Sequence, residues 1–314
     1  MNGENNYLLI AKIYMKKNTF VKYSIMFLFI GFFPSFAFAS NIYFETSRTN
    51  VSVGDTFIVS VKIDAGGTSL NTVEGDIVLE SDKDVVTVND FSLAKSVFSL
   101  WPKTPVISSD GTISFVGGVP GGFKLDKAIL FNIIVEANKE GSIKIIPKNM
   151  AVYANDGKAT RVSSELSSLT INVSPKNESN APLNEWGSLV STDKINPEEF
   201  AIIIGKDASL FEGKRFAFFT AVDNQSGISY YEVSENGKAP IRSGSTYVLE
   251  NQDLRIDPIL TVTAYDKAGN KTVSVYKNPG ISVFGFSINF FIIIILIIII
   301  SVVIRKIKKN GKEK

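Results

Sequence analysis

Cysteine and histidine are both absent from this chain of 314 residues. Without cysteine there is no disulfide framework, no thiolate nucleophile, no iron–sulfur cluster and no Cys-built zinc site, and the redox compartment goes unreported. Without histidine there is no Ser-His-Asp triad and no His-x-x-x-His metalloprotease helix, and the usual acid–base group at neutral pH is missing. Catalysis would have to run on carboxylate, Lys or Tyr chemistry. A glycosidase needs two carboxylates at a set separation, and no such pair stands out, so the chain reads as a non-enzyme. A basic surplus is also missing from the middle of the chain. Four Lys oppose Glu4 in residues 1–39 and six Lys or Arg oppose Glu313 in 305–314, which leaves 23 basic and 29 acidic residues between, a net charge of about −6. That body lacks the clustered cations that nucleic acid requires.

What is present begins with a membrane signal at each end. Met15-Lys16-Lys17 and Lys22 precede the apolar run Tyr23 to Phe36, and Ala37-Phe38-Ala39 then offers the small residues of a signal-peptidase site. Residues 1–39 are therefore expected to be a signal peptide cleaved before Ser40, with Met15 a possible true start. Ile281 to Ile304 contains no charged residue. At 1.5 Å per residue this segment of 24 residues spans roughly 36 Å, enough to cross a hydrocarbon core of ~30 Å. Arg305, Lys306, Lys308 and Lys309 follow at once and belong in the cytoplasm by the positive-inside rule. The expectation is a single-pass protein of the cell membrane, with 281–304 its transmembrane helix, 305–314 its cytoplasmic tail and 40–280 outside. The tail layout is that of a sortase signal, but no Leu-Pro-x-Thr-Gly motif occurs, so the anchor is expected to stay.

Between these ends, short runs of Val, Ile, Thr, Phe and Tyr alternate with Gly, Asn and Asp, which predicts strands and turns. Phe57, Val59, Val61 and Ile63 alternate with polar neighbours, as on a half-buried strand. Asp110-Gly111 and Asn155-Asp156-Gly157 supply residues suited to tight turns. The fold class is all-β. One sandwich is expected over 40–174 and a smaller, immunoglobulin-like one over 198–280. The stretch 175–197, poor in β-branched residues and containing Pro175 and Pro182, reads as a linker.

Several pieces of the first region resemble cohesin domains. Val53-Gly54-Asp55-Thr56-Phe57 looks like the Gly-Asp turn into the family's second strand, Val73-Glu74-Gly75-Asp76-Ile77 its third strand, Gly111-Thr112-Ile113-Ser114-Phe115 its Gly-x-Ile-Ser-Phe strand, and Leu130-Phe131-Asn132-Ile133 the strand beyond. Ser99-Leu100-Trp101-Pro102 and Gly117 to Phe123 resemble cohesin-like surface proteins of small-genome bacteria. Ala264-Tyr265-Asp266-Lys267-Ala268-Gly269-Asn270 is similar to the Asp-x-Ala-Gly-Asn hairpin of bacterial Ig-like modules.

The resemblance implies a β-sandwich related to several carbohydrate-binding modules, working as a surface binding or adhesion module. In cellulosome cohesins the third-strand face, with an Asn-Cys-Asp triplet, recognises a dockerin; here the triplet is Glu74-Gly75-Asp76. If that mode carries over, Glu74 and Asp76 point from the sheet toward a partner. A dockerin, another surface ligand, or no partner at all remain the alternatives. A second reading is polysaccharide binding on an aromatic platform of Trp101, Phe123 and Tyr153, against which stands their use as core plugs. A purely structural envelope component is the third. No cofactor is implied. Asp82-Lys83-Asp84, Asn155-Asp156-Gly157, Asp223 to Gly227 and Asp266 to Asn270 read as turns, with calcium the lesser alternative.

Overall fold

Period-two burial builds most of this molecule. In a computed structural model of the chain, the described residues are 40–176, 179 and 181–277. The expected signal peptide, transmembrane segment and basic tail lie outside them, and among the described residues no helix is long and apolar enough to cross a membrane.

The first region runs β1 (Ser40–Thr46), β2 (Asn50–Ser52), β3 (Thr56–Asp64), β4 (Leu70–Ser81), β5 (Val86–Ser92), β6 (Leu100–Ile107), β7 (Thr112–Phe123), β8 (Ala128–Ala137), β9 (Gly141–Ala154), β10 (Arg161–Val162), β11 (Ser164–Leu166) and β12 (Leu169–Ser174). One sheet has the order β11-β1-β3-β8-β5; the other runs β2-β12-β9-β4-β7-β6, with β10 also on β9. Phe57, Val59, Val61 and Ile63 of β3 are fully buried, as their alternation predicts. They meet Ile77, Ile113 and Phe115 of the opposite sheet in one core. Phe115 packs edge-on to Phe131 with ring centroids 4.9 Å apart.

β6 lacks the alternation that marks other strands in sequence. Pro102 and Pro105 break its sequence pattern, and proline is tolerated where a sheet ends. The chain accordingly places β6 at the sheet's edge, with two register shifts against β7.

The second region holds β13 (Ile202–Lys206), β14 (Arg215–Phe219), β15 (Ile228–Glu235), β16 (Ile241–Ser243), β17 (Thr246–Val248), β18 (Leu260–Asp266) and β19 (Lys271–Tyr276). They form sheets β13-β14-β17 and β16-β15-β18-β19 around one core that includes Phe219, Tyr231, Val233, Tyr247 and Val262. Buried Glu235 accepts hydrogen bonds from the Tyr247 hydroxyl at 3.0 Å and the Glu250 N–H at 2.8 Å. Burial, then the adjacent Glu235, pushes the Tyr247 phenol well above its ordinary range.

The expected linker 175–197 requires a correction. It contains a helix, α1 (Glu185–Thr192), whose N-cap Asn184 accepts the Gly187 N–H at 2.6 Å. Glu185 fastens that helix to the first sandwich: its carboxylate accepts from Ser47 Oγ at 2.5 Å, Arg48 Nε at 3.2 Å and the Ile58 N–H at 3.2 Å. Just before it, the Leu183 N–H donates to Asp55 Oδ1 at 2.8 Å, and the Thr56 N–H donates to the Leu183 carbonyl at 2.9 Å. Residues 181–193 are thus a strut, and the loss of β-branched residues marked a change of element rather than a loose tether. The sandwiches also touch directly, since Ser92 Oγ donates to the Ser226 carbonyl at 2.8 Å and Lys267 pairs with Asp90.

Candidate partner-binding face

The sheet containing β4 turns one side to the core and the other to solvent. Val73 and Ile77 are fully buried, so the intervening alternation sends Glu74, Asp76 and Val78 outward. On the neighbouring strands Glu74 stands beside Ala151 and Val116, Asp76 beside Lys148 and Ser114, and Val78 beside Ile146 and Thr112. Lys103 of β6 continues the row through Val116. The outcome is a surface with two central carboxylates, lysines on either flank and small apolar groups between.

Its centre is kept in place by hydrogen bonds. Asp76 Oδ1 accepts from Ser114 Oγ at 2.7 Å and Oδ2 from the Asn149 amide at 2.9 Å. Those two donors, Asn149 first, hold the Asp76 carboxyl below its usual range despite partial burial. The Tyr153 hydroxyl donates to Glu74 Oε1 at 2.8 Å, and that bond is the main cause of the raised Tyr153 phenol.

Asn149 is the residue that sequence reasoning missed. It sits at φ 52° in a bulge of β9, where pairing with β4 shifts register between Glu74 and Asp76. The signal was legible: Ile143 and Ile145 point inward at odd positions, whereas Met150 and Val152 do so at even ones. Such a phase change requires an extra residue. Gly75 faces this bulge, because a Cβ there would lie 2.3 Å from Met150 Sδ and 3.0 Å from Met150 Cα.

The three proposed platform aromatics are dispersed. Phe123 is 7% exposed and belongs to the core, edge-on to Phe98 at 6.0 Å, so it offers no face to a sugar and that expectation is corrected. Trp101 is half-buried against the same core, edge-on to Phe98 at 5.4 Å, and Gly117 leaves room for both rings. It also lines a cavity of about 490 Å³ between the sandwiches, together with Thr104, Tyr230, Tyr231 and Arg242. Tyr153 alone reaches the outer sheet face, where it joins Glu74.

The sequence matches no protein-family model and no curated protein. Solved structures to which the chain is similar include cohesin modules. The seventh ScaB type I cohesin from Pseudobacteroides cellulosolvens shares 14% identity, with a TM-score of 0.38 over 46% of this chain and 97% of that one. A non-cellulosomal cohesin from the archaeon Archaeoglobus fulgidus shares 14%, with a TM-score of 0.34 over 43% and 91%. A type I cohesin–dockerin complex from Clostridium thermocellum shares 9%, with a TM-score of 0.37 over 44% and 95%.

Proposed function

We propose that this chain is a non-catalytic binding module of the cell surface, which captures a protein partner on the outer face of its first sandwich. Export through the expected signal peptide and retention by the apolar segment 281–304 would display that face outside the cell, with the second, Ig-like sandwich as its stalk. The observation that carries the reading is the pairing of Glu74 and Asp76 on the central strand, each pinned by a hydrogen bond and flanked by Lys103 and Lys148. Charges prearranged in this way cost little further ordering when a complementary surface arrives. The cohesin-like order of sequence pieces favours a dockerin-like protein over a polysaccharide, since Trp101, Phe123 and Tyr153 do not share one open surface.

The full-length chain in detergent, presented to dockerin modules and to polysaccharides, tests this. Capture of a dockerin that falls at least about tenfold on Glu74→Lys, with Tm unchanged, is the expected result, because Glu74 is an outer-face residue whose side chain, among the described residues, bonds to Tyr153. Asp76→Lys should also cost about 1 to 2 kcal/mol of stability, since it strands two donors. Polysaccharide binding indifferent to both variants would refute the reading.

A further inference from the structure

Three carboxylates distant in sequence converge where the strut meets the second sandwich. Asp193 caps the C-terminus of α1, Asp223 stands in the loop between β14 and β15, and Asp266 ends β18. They are 1%, 3% and 2% exposed. One carboxylate oxygen from each lies within 4.8 Å of the other two. Among the described residues no ion pair includes any of them. Lys267, although next to Asp266 in sequence, gives its ammonium to Asp90.

Local donors satisfy part of this cluster. Asp223 Oδ1 accepts the N–H groups of Ser226 at 2.8 Å and Gly227 at 2.6 Å. Asp266 Oδ1 accepts the Asn270 N–H, and its Oδ2 accepts the Asn270 amide, both at 2.8 Å. Asp193 Oδ1 accepts the Ile195 N–H at 3.0 Å. Asp193 Oδ2 is different: it is buried and has no hydrogen-bond partner. A buried oxygen with no donor, on a carboxylate that adjoins two others, is costly unless a cation completes it.

We propose that Asp193, Asp223 and Asp266 bind a calcium ion. Calcium takes oxygen ligands at about 2.3–2.6 Å, so two of its ligands can stand up to roughly 5 Å apart, which admits the observed spacing. Magnesium demands strict octahedral geometry at about 2.0–2.1 Å and retains several waters, so it suits an enclosed cluster of protein carboxylates less well. Transition metals favour imidazole and thiolate, which this chain lacks. The ion would join the far end of α1 to two loops of the second sandwich, while Glu185 fastens the near end to the first. It therefore sets the angle between the sandwiches. This inference does not depend on the partner-binding face.

The test uses the full-length chain in detergent, stripped with EGTA and titrated with CaCl2 by calorimetry and thermal unfolding. One site saturating below about 5 mM, as for extracellular calcium modules, with a rise in Tm that magnesium does not reproduce, is expected. Asp193→Asn removes one of three crowded negative charges. It should leave Tm in EGTA equal or higher and weaken calcium binding at least about tenfold. Absence of calcium binding to the wild-type chain at 5 mM overturns the proposal. So does an Asp193→Asn protein that is less stable in EGTA yet keeps the full calcium shift, because the carboxylate would then serve only as a hydrogen-bond acceptor.

Discussion

Gly75 lies on β4 opposite the β9 bulge, between Glu74 and Asp76 of the candidate face. Its hydrogen leaves the space that Met150 fills, and Met150 follows Asn149 in the bulge that carries an amide to Asp76. Gly75→Ala should destabilise the protein by about 1 to 3 kcal/mol, because Met150 Sδ can swing away but its Cα cannot. It should also weaken partner capture by dislodging Asn149. Denaturant melts and a binding isotherm on the same variant measure both effects, and a loss of stability with full affinity would separate the bulge from the site. Glu74 and Asp76 themselves were legible in the sequence, since alternation alone puts them on one face. Their partners were not. Ser114, Asn149 and Tyr153 come from strands 38, 73 and 79 residues away, and only register brings them together.

At the scale of elements, strands with regular alternation were the readable ones. β3 and β18 announced themselves, whereas β6 was hidden by its prolines and α1 by its length of eight residues, in which Trp186, Leu189 and Val190 give only one turn of apolar stripe. No residue of α1 is fully buried, and Trp186, Leu189 and Val190 are half-buried, so polar contacts carry much of its attachment. Asp55 is central among them, accepting from the Ser52 N–H at 3.0 Å, the Leu183 N–H at 2.8 Å and Arg48 at 3.2 Å. Burial alone would raise its carboxyl, but the two N–H groups and the guanidinium outweigh it and the net shift is downward. A depressed folded-state pKa stabilises the fold above the unfolded carboxylate value near 4, and that stability disappears as pH falls through the folded value. Proteolytic cleavage around Leu183 should therefore be slow at neutral pH and accelerate in acid, whereas Asp55→Asn should be cut readily at both. Equal cleavage of the two proteins at neutral pH would mean that Asp55 does not secure the strut.

For the whole molecule, hydropathy and charge predicted an exported body between two membrane signals, and the same arithmetic predicted two β regions. What sequence could not show was their mutual arrangement. Asp90 and Lys267 are 177 residues apart, and nothing in either neighbourhood names the other. The mature protein should begin at Ser40, whose N–H donates to the Ser163 carbonyl at 3.0 Å and whose side chain is wholly buried. N-terminal sequencing of membrane-derived protein reads this directly; a chain still starting at Met1 or Met15 would instead be anchored twice.

Were copies of the chain displayed densely, as the proposed function requires, their sheet margins would come within reach of one another, and an unguarded margin invites strands to zip together into fibres. At the β6 margin this protein carries Pro102 and Pro105, two residues of eight that have no N–H to offer, and two breaks in register. A second copy would find no regular ladder to extend there. The irregularity that concealed β6 in the sequence would thus permit crowding without polymerisation and leave the broad face of the sheet free for the proposed partner.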